Sequence, residues 1–127
     1  MGYLLDTHVI LWAMNDKTRL SRKALHALGD TSQTKYVSLA SFWEIAIKNR
    51  IGKLPLSISL DEMRQMLTSH KCKILNINHE TITTFNTLPL LHRDPFDGIL
   101  VATALENDLT VITNDENIQK YDVPWVW

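Results

Sequence analysis

Tyr3-Leu4-Leu5-Asp6-Thr7-His8 carries three apolar residues that give way abruptly to an acid, and the apolar run Val9 to Met14 follows at once. The first three read as a short, fully buried strand; Thr7 to Met14, apolar nearly all round, reads as a buried helix. Asp6 therefore falls where the strand leaves its sheet. Ligands of open parallel sheets bind outside the carboxyl ends of the strands, which makes this carboxylate a candidate for chemistry. Its plainer role would be to cap the helix that follows.

Working outward, Ser21 is a natural N-cap for a helix over Arg22 to Leu28 that Gly29 ends, and Tyr36-Val37-Ser38 reads as a short strand. From Leu39 to about Arg50, Leu39, Phe42, Trp43, Ala46 and Ile47 recur at helical spacing, with Glu44 and Lys48 together on a neighbouring face. On that spacing Trp43 belongs to the core, as does Trp12. Gly52 and Pro55 break the pattern. Ser59 and Glu62 then form a capping box for a further helix. Lys73 to Ile77 alternates like a strand, and Asn78 caps a helix to about Thr87 with Ile82, Phe85 and Leu88 inward.

Asp94-Pro95-Phe96-Asp97 is the most distinctive local sequence, an N-cap followed by proline at the first helical position. It places Asp97 one turn into a helix that is apolar through Leu105. Leu109 to Thr113 is a β-branched strand running toward Asp115, and Pro124 limits the tail Val123 to Trp127 to an edge strand. Strands alternating with helices predict an α/β domain with a mainly parallel sheet, and the 127 residues are expected to form a single domain.

A formal net charge of −1 argues against a nonspecific polyanion binder, yet residues 1–60 hold eight Lys/Arg against four acids, while the rest holds five against ten. A basic face beside an acidic pocket suits an enzyme acting on a nucleic-acid backbone. Lys48, Arg50, Lys53 and Arg93 are the candidate phosphate contacts. The lone Cys72 makes no internal disulfide, and no Cys/His cluster has zinc spacing. Glycines stand only at positions 2, 29, 52 and 98, so neither a P-loop nor a dinucleotide fingerprint can be built. The N-terminal apolar run is interrupted by Asp6 and lacks a basic leader, and nothing approaches a membrane span, so a cytoplasmic protein is expected.

Asp6 and Asp115 follow strands, and Glu44 and Asp97 are expected in the first turns of helices, so all four can reach one edge of the sheet. At about 5 Å separation each like-charge pair costs on the order of 3 kcal/mol at an effective dielectric of 20. A hard divalent ion offsets that cost, and carboxylates with water suit Mg²⁺ or Mn²⁺. Each acid also has a local role open to it: Glu44 in a capping box with Ser41 or an ion pair with Lys48, Asp97 on the helix dipole, Asp115 in a turn.

These residues carry a family resemblance. Tyr3 to His8 with Leu11-Trp12, Ser38 to Lys48, Gly52-Lys-Leu-Pro55, His92 to Asp97 and Thr113 to Glu116 together resemble PIN-domain ribonucleases, most closely toxins of the VapC type. The resemblance implies a PIN-like fold and a metal-dependent endoribonuclease. It further implies a cognate protein antitoxin, an RNA substrate and a homodimer. The family's acidic metal site carries over to Asp6, Glu44, Asp97 and Asp115, and its hydroxyl-bearing neighbours to Thr7 and Thr113. Similar chains often have Arg directly after the helix aspartate, where this one has Gly98.

Two other classes remain. A receiver-like signalling domain needs paired acids after its first strand and an acid after a middle strand; Asp6 stands alone, and no acid ends Lys73 to Ile77. A PIN-like module that binds RNA or a partner without cutting would not need the intact acidic quartet.

Overall fold

The computed structural model describes residues 2–127. The elements follow in the order β1 (Gly2–Leu5), α1 (Thr7–Asn15), a 3₁₀ turn (Lys17–Arg19), α2 (Arg22–Gly29), β2 (Thr34–Ser38), α3 (Leu39–Arg50) and α4 (Leu60–Ser69). Then come β3 (Lys73–Leu75), α5 (His79–Thr87), α6 (Pro95–Asn107), β4 (Leu109–Ile112), α7 (Glu116–Gln119) and β5 (Trp125–Val126). The five strands form one sheet in the order β3-β2-β1-β4-β5, with every pairing parallel. The expected α/β class with a mainly parallel sheet is what the chain adopts.

β1 lies in the middle and pairs Leu4 with Val111 and Leu5 with Ile112. Successive strand side chains point to opposite faces. Leu4 and Val111 accordingly join a core with Leu100, Val101, Ala104 and Ile118 on one side of the sheet. Leu5 and Ile112 join a second core with Val9, Ile10, Ala24, Ile45 and Met63 on the other. The chain winds from β1 to β2 and β3 in one direction and later to β4 and β5 in the other. The strand order reverses between β1 and β4, where open α/β sheets leave a crevice.

Local chemistry sets most boundaries. Ser21 accepts from the Ala24 amide, the Ser59 and Glu62 capping box is formed in full, and Asp94 caps α6 with Pro95 at its first position. Gly52, at φ 77°, supplies the left-handed turn that follows α3. Pro124 lies just outside β5, and its carbonyl accepts from the Val111 amide at 2.9 Å, so an edge strand forms around the missing donor.

Four expectations need correction. β3 stops at Leu75 rather than Ile77. The α3 cap is Ser38, so Glu44 lies in the second turn and takes no part in a capping box. The apolar stripe of α3 does not mark its buried face: Leu39, Trp43 and Ile47 are exposed, Trp43 to 56%, while Ala40, Ser41, Glu44 and Ile45 point inward. Likewise Ile82 and Phe85 of α5 are exposed, and Thr81 is its buried residue. Both helices carry apolar residues on more than one face, so spacing alone does not select the inward one.

Candidate active site

Asp6 occupies the N-cap position of α1 but makes no cap bond with its side chain. Its Oδ2 instead accepts from Thr113 Oγ1 at 2.8 Å, across the switch point between β1 and β4. Thr113 Oγ1 in turn accepts from the Asp115 amide at 2.9 Å. That bond leaves the single hydroxyl proton of Thr113 directed at Asp6. Asp115 caps α7 by accepting from the Asn117 amide at 2.8 Å, and it is half-buried.

On the α3 side, Thr7 Oγ1 donates to Glu44 Oε1 at 2.8 Å and lies 2.9 Å from Ser41 Oγ. Glu44 Oε2 meets Lys48 Nζ at 2.7 Å. Asp6 and Thr7 are consecutive, so this network ties α3 and β4 to the same two residues. Asp97 is the third residue of α6 and 5% exposed, and its carboxylate accepts no hydrogen bond within the described residues. Its nearest ionisable partner is His92, with Nδ1 3.5 Å from Oδ2.

The electrostatics tie the four acids together. Burial pushes Asp6 above the ordinary aspartate range, the Thr113 bond and His8 oppose it, and the charges of Asp115 and Glu44 add to it. Asp97 is pushed up to about 8, chiefly by burial, then by Asp115, Asp94, Asp6 and Glu44. The Glu44 hydrogen bond holds the Lys48 ammonium above its usual range, aided by the charges of Glu44, Asp94 and Asp97. Asp6, Glu44, Asp97 and Asp115 thus feel one another, with Lys48 as the local countercharge. This surplus of buried negative charge fits a hard divalent cation, because without one the group retains protons.

Of the other expected residues, Thr7 and Thr113 are bonded to the acids, while Arg50, Lys53 and Arg93 are exposed and Lys48 is committed to Glu44. Two features escaped the sequence reading. Ser41 is buried against Thr7, a contact between helices that no local spacing announces. Among the described residues, the group of ligand side chains with atoms all within 4.8 Å of one another is His92, Asp94 and Asp97 rather than the quartet. The H-x-D-x-x-D spacing was the available signal.

A parallel sheet with buried acids gathered at its switch point defines an acid-lined α/β domain suited to a divalent cation. The PIN domain model matches residues 3–124, and the chain belongs to that family. It is 28% identical over 122 residues to Ribonuclease VapC22 of Mycobacterium tuberculosis, covering 95% of this chain and 92% of the relative. VapBC2 from Rickettsia felis, solved with a DNA fragment from its promoter, superposes with a TM-score of 0.75 at 16% identity, over 99% of this chain and 98% of the other. A toxin-antitoxin complex from Klebsiella pneumoniae gives 0.66 at 22%, over 99% and 97%. At those identities the solved structures establish the fold. No helix among the described residues is long and apolar enough to cross a membrane.

Proposed function

We propose that this chain is a Mg²⁺- or Mn²⁺-dependent endoribonuclease, the toxin of a toxin-antitoxin pair, working in the cytoplasm as one PIN-like domain. The observation that carries the reading is the burial of Asp6 and Asp97 in a shared negative field with Glu44 and Asp115. The ribonuclease relative and the toxin-antitoxin neighbours support it. Asp6, Glu44, Asp97 and Asp115 would hold the ion. When bound, it supplies an acidified water and offsets the charge that builds on a phosphodiester.

The chain's own part is positioning. Thr113 holds Asp6 Oδ2, Thr7 holds Glu44 Oε1, and Lys48 secures the other Glu44 oxygen, so the carboxylates are oriented before substrate arrives. Arg50, Lys53 and Arg93 are proposed to receive RNA phosphates. A groove of about 780 Å³, lined by Met14, Leu20, Leu25, Leu28, Met66 and Leu67, supports an apolar antitoxin segment as partner. The decisive experiment is RNA cleavage by purified, antitoxin-free protein in Mn²⁺. Wild type cuts and both Asp6→Asn and Asp97→Asn lose at least about a hundredfold; unchanged cleavage in both variants removes the mechanism.

A further inference from the structure

We propose that His92, Asp94 and Asp97 form a second cation site, sharing Asp97 with the all-carboxylate group and preferring transition-metal ions such as Zn²⁺ or Co²⁺ to Mg²⁺. Their ligand atoms all lie within 4.8 Å of one another, on the connection into α6 and its first turn. The proposal rests on the nuclease reading only in placing Asp97 between two sites. It does not require that RNA be cut.

Lone pairs supply the first argument. The Asp94 amide donates to His92 Nδ1 at 3.1 Å, which assigns the ring proton to Nε2. The Asp94 amide takes the single Nδ1 lone pair, and Asp97 Oδ2 lies 3.5 Å from the same nitrogen. At that distance no direct hydrogen bond joins the two side chains. A cation there would take the Nδ1 lone pair in place of the Asp94 amide and would find Asp97 Oδ2 beside it. With metal-ligand bonds of about 2.1 Å in a tetrahedral arrangement, neighbouring ligand atoms lie about 3.4 Å apart. The 3.5 Å between His92 and Asp97 is close to that spacing, and the three ligand atoms, all within 4.8 Å of one another, would draw in by up to about 1.4 Å to reach it.

Asp97 supplies the second. Its carboxylate is 5% exposed, accepts no hydrogen bond within the described residues and has Oδ2 aimed at the imidazole. A buried carboxylate in that condition lacks a partner that an ion would provide. Asp94 contributes without losing its structural role: Oδ1 accepts from the Phe96 amide at 2.9 Å as the α6 cap, and Oδ2 is left over.

The donor set then decides the ion. One imidazole nitrogen with two carboxylates suits Zn²⁺, Co²⁺ or Mn²⁺, and such sites follow the order Mn²⁺ < Co²⁺ < Cu²⁺ > Zn²⁺. Mg²⁺ demands oxygen ligands in near-ideal octahedra and sheds water reluctantly, so it favours the quartet. Three protein ligands leave a position open to water or to a substrate oxygen.

The test is Co²⁺ titration of the metal-stripped chain without RNA, followed by visible absorption and by the paramagnetically shifted Nε2 proton of a metal-bound histidine. Wild type is expected to show the shifted proton and a tight site that excess Mg²⁺ does not displace. His92→Ala should lose both. Asp94→Asn retains an equally good N-cap and should bind Co²⁺ on the order of tenfold more weakly or worse. Circular dichroism confirms that each variant is folded, and Asp94→Asn decides should His92→Ala be unfolded. Equal Co²⁺ affinity and spectrum in wild type and Asp94→Asn overturns the proposal, whatever the cleavage result. Histidine-bound Co²⁺ in a chain that cuts no RNA upholds it and removes the nuclease reading instead.

Discussion

Asp97 lies buried in the field of Asp115, Asp94, Asp6 and Glu44, which holds its carboxyl up to about 8. Unfolding would return it to the ordinary value of 3.8. Between those values the folded chain keeps a proton that the unfolded chain releases, so stability is lost as pH rises through the window. Metal-free protein in chelator should therefore melt lower at about pH 8 than at about pH 5.5, and Asp97→Asn should flatten the difference. A wild-type profile no steeper than that of the variant would contradict the assigned cause. One residue further on, a Cβ at Gly98 would lie 2.5 Å from Phe85 Cε1. The Phe85 ring occupies the space that a larger side chain at this position would need. Gly98→Ala should cost about 1–3 kcal/mol in urea unfolding although alanine favours helix by about 1 kcal/mol, and Phe85→Leu should restore part of it. The acids themselves were legible from their places after strands and in caps. His92 was not, because its meaning lies in a 3.5 Å approach that sequence does not display.

Among the elements, capped helices were read best, since a cap is a local event: Ser21, Ser59, Asn78 and Asp94 each cap the helix expected of them. Helix faces were read worst. α3 turns Glu44 inward and Trp43 outward because Glu44 has partners in Thr7 and Lys48, whereas Trp43 meets only the Phe96 edge at 5.3 Å as its aromatic neighbour. The same holds for α5, whose buried Thr81 donates to Glu106 Oε2 of α6 at 2.8 Å while accepting from its cap partner's side of the turn through the Asn78 amide at 3.4 Å. That hydroxyl joins two helices, and periodicity does not register a polar tether. Thr81→Val keeps the volume and removes the bonds, leaving the part-buried Glu106 carboxylate without its donor. The expected cost is about 1–3 kcal/mol. Faster amide exchange confined to α5, with α6 and the sheet unchanged, would place the loss at that joint.

For the whole molecule, alternation of strands and helices announced the parallel sheet, but the order β3-β2-β1-β4-β5 depends on long-range pairing and appears only in three dimensions. That order brings Asp6 and Thr113 abreast, although they stand 107 positions apart in the chain. It also leaves an apolar surface uncovered. Trp43 rests on Phe96, Phe85 packs over Gly98 two residues along α6, and Ile47, Ile51, Ile82 and Leu90 are exposed on the neighbouring elements. Large exposed apolar patches on soluble domains mark association surfaces, and a patch used by two identical copies need only be self-complementary. The homodimer that the family resemblance implies is proposed to use this surface, beside the N-terminal turn of α6 that carries Asp97. Trp43→Asp puts a charge at the most exposed ring of the patch without touching the buried face of α3. Light scattering during gel filtration should show the wild type at twice the chain mass and Trp43→Asp at the mass of one chain, with circular dichroism unchanged. A wild type at single-chain mass across a concentration series would remove the assignment and leave the acidic site as it stands.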